Sequence, residues 1–242
     1  MILRKVKYVG ILAAVFLCLH TSVKAQVKHG YQHWYTYFGG LQLNEKWSIP
    51  FDVQVRLRDA ISDKGQVLTR AGLQYSINKK ASVLLGYAYI TTYSDALDAY
   101  FPEHRIFQQF IYKTPIKKWD MFHRIRLEQR FAGVKVMHTG GDLKVDDWNY
   151  GNRFRYFNRT TVPLKGGPFY FALQDELFMN LWGNDISKKF FDQNRFLTAI
   201  GYAFKPNLKV DIGYMNQFVQ SPAGNKSMNH ILQFSVYQTI AL

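Results

Sequence analysis

The sequence predicts an all-β chain: an antiparallel transmembrane β-barrel of 10–12 strands with short periplasmic turns and longer extracellular loops, preceded by a cleaved signal peptide. Two observations carry the barrel. Apolar and polar residues alternate with a period of two in segment after segment, and connections of two sizes take turns between those segments. A third excludes the other way of crossing lipid, because no run of about 18 apolar residues follows the leader. Composition agrees. The 242 residues are 48% hydrophobic, which excludes disorder, and the 16 Tyr, 19 Phe and 5 Trp exceed what a compact soluble core of this size usually carries.

Taken in chain order, the leader comes first. Arg4, Lys5 and Lys7 precede the apolar stretch Val9 to Leu19, and Val23-Lys24-Ala25 supplies small residues at a cleavage site, so residues 1–25 form a signal peptide and 26–242 the barrel domain. An anchor helix needs about 20 apolar residues, and the polar run from His20 to Lys24 stops this one short. Cys18 follows Leu17 inside the apolar region, so it lacks the setting of a lipidated cysteine. Cleavage removes that sole cysteine together with Arg4, Lys5, Lys7 and Lys24, which lowers the net charge from +14 to +10. A disulfide framework, thiolate chemistry and zinc fingers are thereby excluded. Export and the absence of a concentrated Lys/Arg tract argue against nucleic acid as a partner.

Alternation is clearest in Phe51 to Arg58, with every odd position apolar and every even one polar, and in Met121 to Phe131, with Arg124, Arg126, Glu128 and Arg130 on one face. Tight turns are expected at Asn44-Glu45, Asn78 to Lys80, Pro115 to Lys118, Lys165 to Gly167 and Lys205 to Asn207. Longer loops are expected at Ala60 to Gly65, Ser94 to Pro102, Val134 to Asp146, Gly183 to Lys189 and Gln220 to Lys226. The strands between are Tyr31–Leu43, Lys46–Asp59, Gln66–Ile77, Ala81–Tyr93, Glu103–Lys113, Lys118–Ala132, Asp147–Val162, Phe169–Asn180, Phe191–Phe204, Leu208–Phe218 and Ser227–Ile240. That is an odd number, whereas single-chain bacterial barrels have even ones. The reading therefore expects one incomplete, split or hidden strand. One hairpin recurs: Leu73 to Tyr89 aligns without a gap on Ile200 to Asn216, matching Gly86-Tyr87 with Gly213-Tyr214.

Trp47 and Trp119 follow tight turns while Trp148 and Trp182 border long loops, the placement of an interfacial aromatic girdle. Lys79, Lys80, Lys117, Lys118, Lys165 and Lys205 gather at the turns, where they would meet anionic lipid headgroups. If the apolar faces meet lipid, the lumen receives Asp52, Arg56, Arg58, Arg105, Arg124, Arg126, Glu128, Arg130, Arg153, Arg155, Glu176 and Arg195. Small residues such as Gly86, Ala88 and Gly213 would leave room for the long side chains. Buried charges require pairing, so this set reads as an ion-pair network filling a closed lumen. The arginine excess also admits a narrow anion-preferring channel.

No group reads as catalytic and none as a metal or cofactor site. His33, His104, His123, His138 and His230 lack a recognisable nucleophile setting, and Asp142, Asp146 and Asp147 do not keep calcium-loop spacing. An enzyme modifying lipid or glycan would place its site on the extracellular loops. A soluble periplasmic binding protein would lack the turn and loop alternation.

Glu103-x-Arg105, His123 to Phe131, Arg153-x-Arg155, Phe191 to Arg195 and Gly213-Tyr214-Met215-x-Gln217 together resemble a bacterial family known as domain of unknown function 2490. The resemblance implies an outer-membrane barrel typical of Bacteroidota and brings no catalytic residues. The expected role is thus a non-enzymatic outer-membrane protein, either a structural barrel or an accessory subunit of envelope machinery. Its expected partners are outer-membrane lipids and other outer-membrane proteins.

Overall fold

A computed structural model describes residues 27–59, 61, 63–137 and 143–242; the leader lies outside the described residues. Each alternating segment forms a strand: β1 (Lys28–Gln42), β2 (Trp47–Arg58), β3 (Asp63–Ser76), β4 (Ala81–Ser94), β5 (Ala99–Lys113), β6 (Asp120–Met137), β7 (Leu143–Pro163), β8 (Phe169–Asn180), β9 (Phe191–Lys205), β10 (Leu208–Gln220) and β11 (Lys226–Ala241). One 3-10 turn, Asp95–Leu97, follows β4. Even the 12-residue strands β2 and β8, tilted as barrel strands are, rise about 30 Å. That length spans a hydrocarbon layer.

The strands pair in chain order into a closed barrel. Neighbours joined by a connection run antiparallel, so with an odd number the first and last strands point the same way. β1 and β11 accordingly close the ring as a parallel ladder, from Lys28↔Ser227 to Gln42↔Ala241. All eleven expected segments are full strands, and the ring closes among the described residues without a twelfth. The expectation that one was incomplete or hidden is corrected, because parallel closure tolerates an odd count. Both β1 and β11 run from the rim bearing the longer connections to the rim bearing the turns, where the Leu242 amide donates to the Gln42 carbonyl at 3.1 Å.

Turns at 43–46, 77–80, 114–119, 164–168 and 206–207 make one rim. At the other rim, strands reach into the expected loops Ala60 to Gly65, Ser94 to Pro102 and Val134 to Asp146: β3 begins at Asp63, β5 at Ala99, and β6 and β7 pair as far as Met137↔Leu143. The excursions exist, but as extended hairpins. The long irregular connection is 181–190.

Face assignment follows the pleat. On β2, Asp52, Gln54 and Arg56 are buried while Val53 and Val55 are exposed; on β6, Arg126 and Glu128 are buried while Ile125 and Leu127 are exposed. The outer wall is a band of exposed Val, Ile, Leu, Phe and Tyr, which only lipid covers without cost. The inner wall is not uniformly polar. Leu68, Leu84, Ala88, Ile90 and Phe107 form one interior apolar cluster, and Trp34, Tyr170, Ala172, Leu197, Ala199, Met215 and Ile231 form another.

Candidate functional site: the arginine-packed lumen

Period-two geometry sets every inward residue of a strand on one row, so Arg153, Arg155 and Arg159 of β7 face inward together, opposite Arg124, Arg126, Glu128 and Arg130 of β6. Glu128, 1% exposed, is the hub. It accepts from Arg153 Nε and Nη2 at 3.0 and 2.6 Å and from Arg155 Nη1 at 2.5 Å, with Arg126 and Arg105 at 3.5 and 3.9 Å. Glu176 of β8 is a second hub, with Arg155 at 2.5 Å, Arg124 at 2.7 Å and Arg195 at 3.6 Å. Glu103 takes Arg105 at 2.7 Å and Arg130 at 2.6 Å. Asp52 takes Arg70, and Asp211 takes Arg159, each at 2.5 Å. A register shift after Phe178 leaves Asp192 unpaired in the β8/β9 ladder, and this bulge residue meets Arg153 at 2.8 Å.

Aromatic rings carry the flat faces of these guanidinium groups. Arg126 lies over Phe107, Arg124 over Phe157, Arg153 and Arg155 over Phe178, and both Arg56 and Arg195 over Trp34. Such stacking suits the weakly hydrated guanidinium. The rings need space, and glycines supply it. A Cβ at Gly86 would fall 2.4 Å from Phe107, and one at Gly201 2.1 Å from Tyr170. The space at Gly86 therefore holds an aromatic ring, with the arginine above it, and that at Gly213 faces Ala199 and Leu197. Neither takes a guanidinium directly, as the sequence had suggested.

Among the described residues, ten inward guanidinium groups (Arg56, Arg70, Arg105, Arg124, Arg126, Arg130, Arg153, Arg155, Arg159, Arg195) face six buried or half-buried carboxylates (Asp52, Glu103, Glu128, Glu176, Asp192, Asp211), an excess of four positive charges. Arg56 has no carboxylate partner among the described residues; it donates to Gln66 at 2.9 Å and Gln54 at 2.8 Å. Two cavities, about 500 Å³ toward the turn rim and about 380 Å³ toward the other, share Trp34, Arg56, Arg70, Arg155 and Arg195 in their walls. The lumen is thus two vestibules meeting at an arginine waist.

Of the expected lumen residues, Arg58 stands apart at the rim, where it pairs with Asp95 at 2.6 Å. Arg56, Arg105, Arg124, Arg126, Glu128, Arg130, Arg153, Arg155, Glu176 and Arg195 all face the interior. Sequence reasoning passed over Arg70, Arg159, Asp211 and Trp34. Arg159 was available by counting on from Arg153 and Arg155 in steps of two, and Asp211 by the alternation of Val210-Asp211-Ile212. Trp47 and Trp119 are exposed at the turn rim, Trp148 and Trp182 toward the other rim.

The histidines face outward. Tyr87 hydrogen-bonds His104, and Tyr214 hydrogen-bonds His230 at 2.6 Å, each diagonally across one strand pair. The tyrosines of the two similar hairpins thus each meet a histidine of the following strand. His123 bonds Thr114 at 3.0 Å and Tyr156 at 2.8 Å. With Asn158, and with Asp175 bonded to Asn194 at 2.9 Å, it forms a polar run across the outer face of β6 to β9. His138 and Asp142 lie outside the described residues, and Asp146 and Asp147 lie in β7, where Asp147 pairs with Val134 and the register shifts at Asp146.

Fold and lumen define a membrane-type up-and-down β-barrel with a charge-packed interior. Within that class, the chain belongs to the family "Protein of unknown function (DUF2490)", whose model matches residues 31–228. It is 26% identical over 193 residues to an uncharacterized protein of Methylorubrum extorquens, covering 77% of this chain and 78% of that protein. Among solved structures it is similar to the NanC porin, with 13% identity, TM-score 0.46 and coverage of 79% of this chain and 85% of that one. It is also similar to the β-domain of the Bordetella autotransporter BrkA, with 9% identity, TM-score 0.40 and coverage of 73% and 78%.

Proposed function

We propose that this chain is an integral outer-membrane barrel, exported by its N-terminal signal peptide. In this reading the turn rim is periplasmic, and a lumen closed by ion pairs makes the protein a structural barrel or an accessory subunit of envelope machinery. The observation that carries it is the pair of hubs, Glu128 and Glu176, which tie arginines of β5, β6, β7 and β9 across the interior. Trp47, Trp119, Trp148 and Trp182 serve as the interfacial girdle, and the turn lysines meet lipid headgroups. The polar run through His123, Asn158 and Asp175 supports the subunit form, since polar groups face hydrocarbon at a cost and a neighbouring outer-membrane protein would cover them. The origin in a Bacteroidota envelope that the resemblance implies belongs to the same proposal.

Reconstitution of the pure protein in planar bilayers tests the closed lumen. No steady conductance is expected, and a steady open level would overturn closure. The four-charge excess of the lumen favours a second reading, a narrow anion-preferring path, for which that open level would carry chloride over potassium.

A further inference from the structure

The waist holds two arginines that the chain leaves incompletely countered. Arg70 is claimed by Asp52, and Arg155 by Glu128 and Glu176. Among the described residues, Arg56 meets only the neutral amide oxygens of Gln54 and Gln66, and its Nε is buried without a partner. Arg195 reaches Glu176 no closer than 3.6 Å, and its Nε is likewise buried without a partner among them. Both residues are 9% exposed; Arg56 lies over the ring of Trp34 at 3.8 Å, and Arg195 sits by the same ring at 5.0 Å and over Phe178 at 4.6 Å. A charge withdrawn from water calls for a counter-charge as well as hydrogen bonds. Here two such charges converge on one ring at the inner end of a cavity.

We propose that the waist is a binding site for a small organic anion, whose carboxylate meets Arg56 and Arg195 and whose apolar body lies in the vestibule toward the turn rim. A planar two-oxygen head matches the guanidinium fork, which favours a carboxylate. The body is argued from the walls: Phe38, Phe122, Phe157, Tyr170, Met215 and Tyr237 line that vestibule, and about 500 Å³ holds a molecule of one or two fused rings. The vestibule toward the other rim is smaller, about 380 Å³, and its apolar groups, Leu68, Phe178, Ile186 and Val219, are interrupted by Arg105, Arg130 and Arg153 with their carboxylates. The site rests on the charge excess described above, but requires no conduction.

Isothermal titration of the detergent-solubilised full chain with 2-naphthoate tests it, with 2-naphthamide as neutral isostere and inorganic phosphate as an anion without a body. The expected result is saturable naphthoate binding, with naphthamide and phosphate each at least tenfold weaker. Arg56→Gln and Arg195→Gln should each weaken naphthoate at least tenfold, whereas Arg58→Gln, at the rim, should leave it unchanged. Heat-modified migration on gels confirms that each variant is folded, and the naphthoate-to-naphthamide comparison needs no variant at all. Absence of saturable naphthoate binding, or equal binding of the amide, overturns the site. Phosphate binding as tight as naphthoate overturns the role of the apolar body. Conductance recorded on the same preparation separates the two proposals: binding with an open level sinks closure alone, and silence in both sinks the site alone.

Discussion

Replacing Glu128 with Gln removes one negative charge from the most buried part of the lumen while keeping shape and volume. Glu128 accepts three hydrogen bonds from Arg153 and Arg155. A glutamine retains one acceptor oxygen, which can keep both Arg153 bonds, and turns its NH₂ group toward the Arg155 guanidinium, so one charge-assisted bond is lost outright, at roughly 1.5–3 kcal/mol. The neighbouring guanidinium groups also lose their counter-charge, and removing one partner of a buried ion pair costs about 3–5 kcal/mol in all. Urea unfolding of purified protein in phospholipid vesicles, followed by tryptophan fluorescence, measures it. Arg56→Met is the control. It removes a buried charge that has no carboxylate partner among the described residues, keeps an apolar stem on Trp34, and leaves Gln54 and Gln66 beside the two vestibules. That variant should fall within about 1 kcal/mol of the parent. If Glu128→Gln costs less than about 1 kcal/mol, or if both variants cost the same, the ion-pair network does not hold the barrel.

Gly201→Ala would drive a methyl group to 2.1 Å from the Tyr170 ring, displacing it and its hydrogen bond to the Val210 carbonyl; a loss of about 1–3 kcal/mol is expected in the same unfolding assay. At the rim, the hydrogen bond from Arg58 holds the Asp95 carboxyl below its ordinary range. Because the folded pKa is depressed, the contact is complete above the ordinary carboxylate pKa and is lost as pH falls through the lowered one. Carbon-detected titration should show Asp95 ionised throughout the neutral and mildly acidic range, with Arg58→Ala returning its midpoint to the ordinary value. Tyr35→Cys with Phe234→Cys places two thiols at partner positions of the parallel seam. With no other cysteine after Cys18, mercuric ion should link them, and the folded protein should give a circularised band on denaturing gels. Linear chain only would refute parallel closure.

The fold was legible wherever lipid lies on one side and charge on the other, as in Phe51 to Arg58. It was obscured where that contrast fades. Beyond the bilayer both faces of a hairpin meet water, so Ser94 to Pro102 and Val134 to Asp146 carry no alternation and resemble loops although strands reach into them. Inside the barrel, Leu84 and Ile90 sit opposite exposed Val83 and Tyr89 with apolar groups on both faces, which hides the inward row of β4. The charge network was legible as a set of inward residues through i, i+2 counting. Its pairings were not, because contacts such as Arg124 with Glu176 span 52 positions, and Asp192 enters only through a bulge. The incomplete countering of Arg56 depends on which residue of β3 stands beside it, a question of register that no local pattern answers.

Parallel closure also decides where the polypeptide leaves the barrel. An even ring returns its last strand to the side from which its first set out, and both chain ends share one aqueous compartment. Here Lys28 and Leu242 stand at opposite mouths. Any segment ahead of Lys28 emerges on one side of the membrane and any segment beyond Leu242 on the other. A label at each end would therefore read two compartments from a single molecule, and a protease confined to one side would trim only one of them.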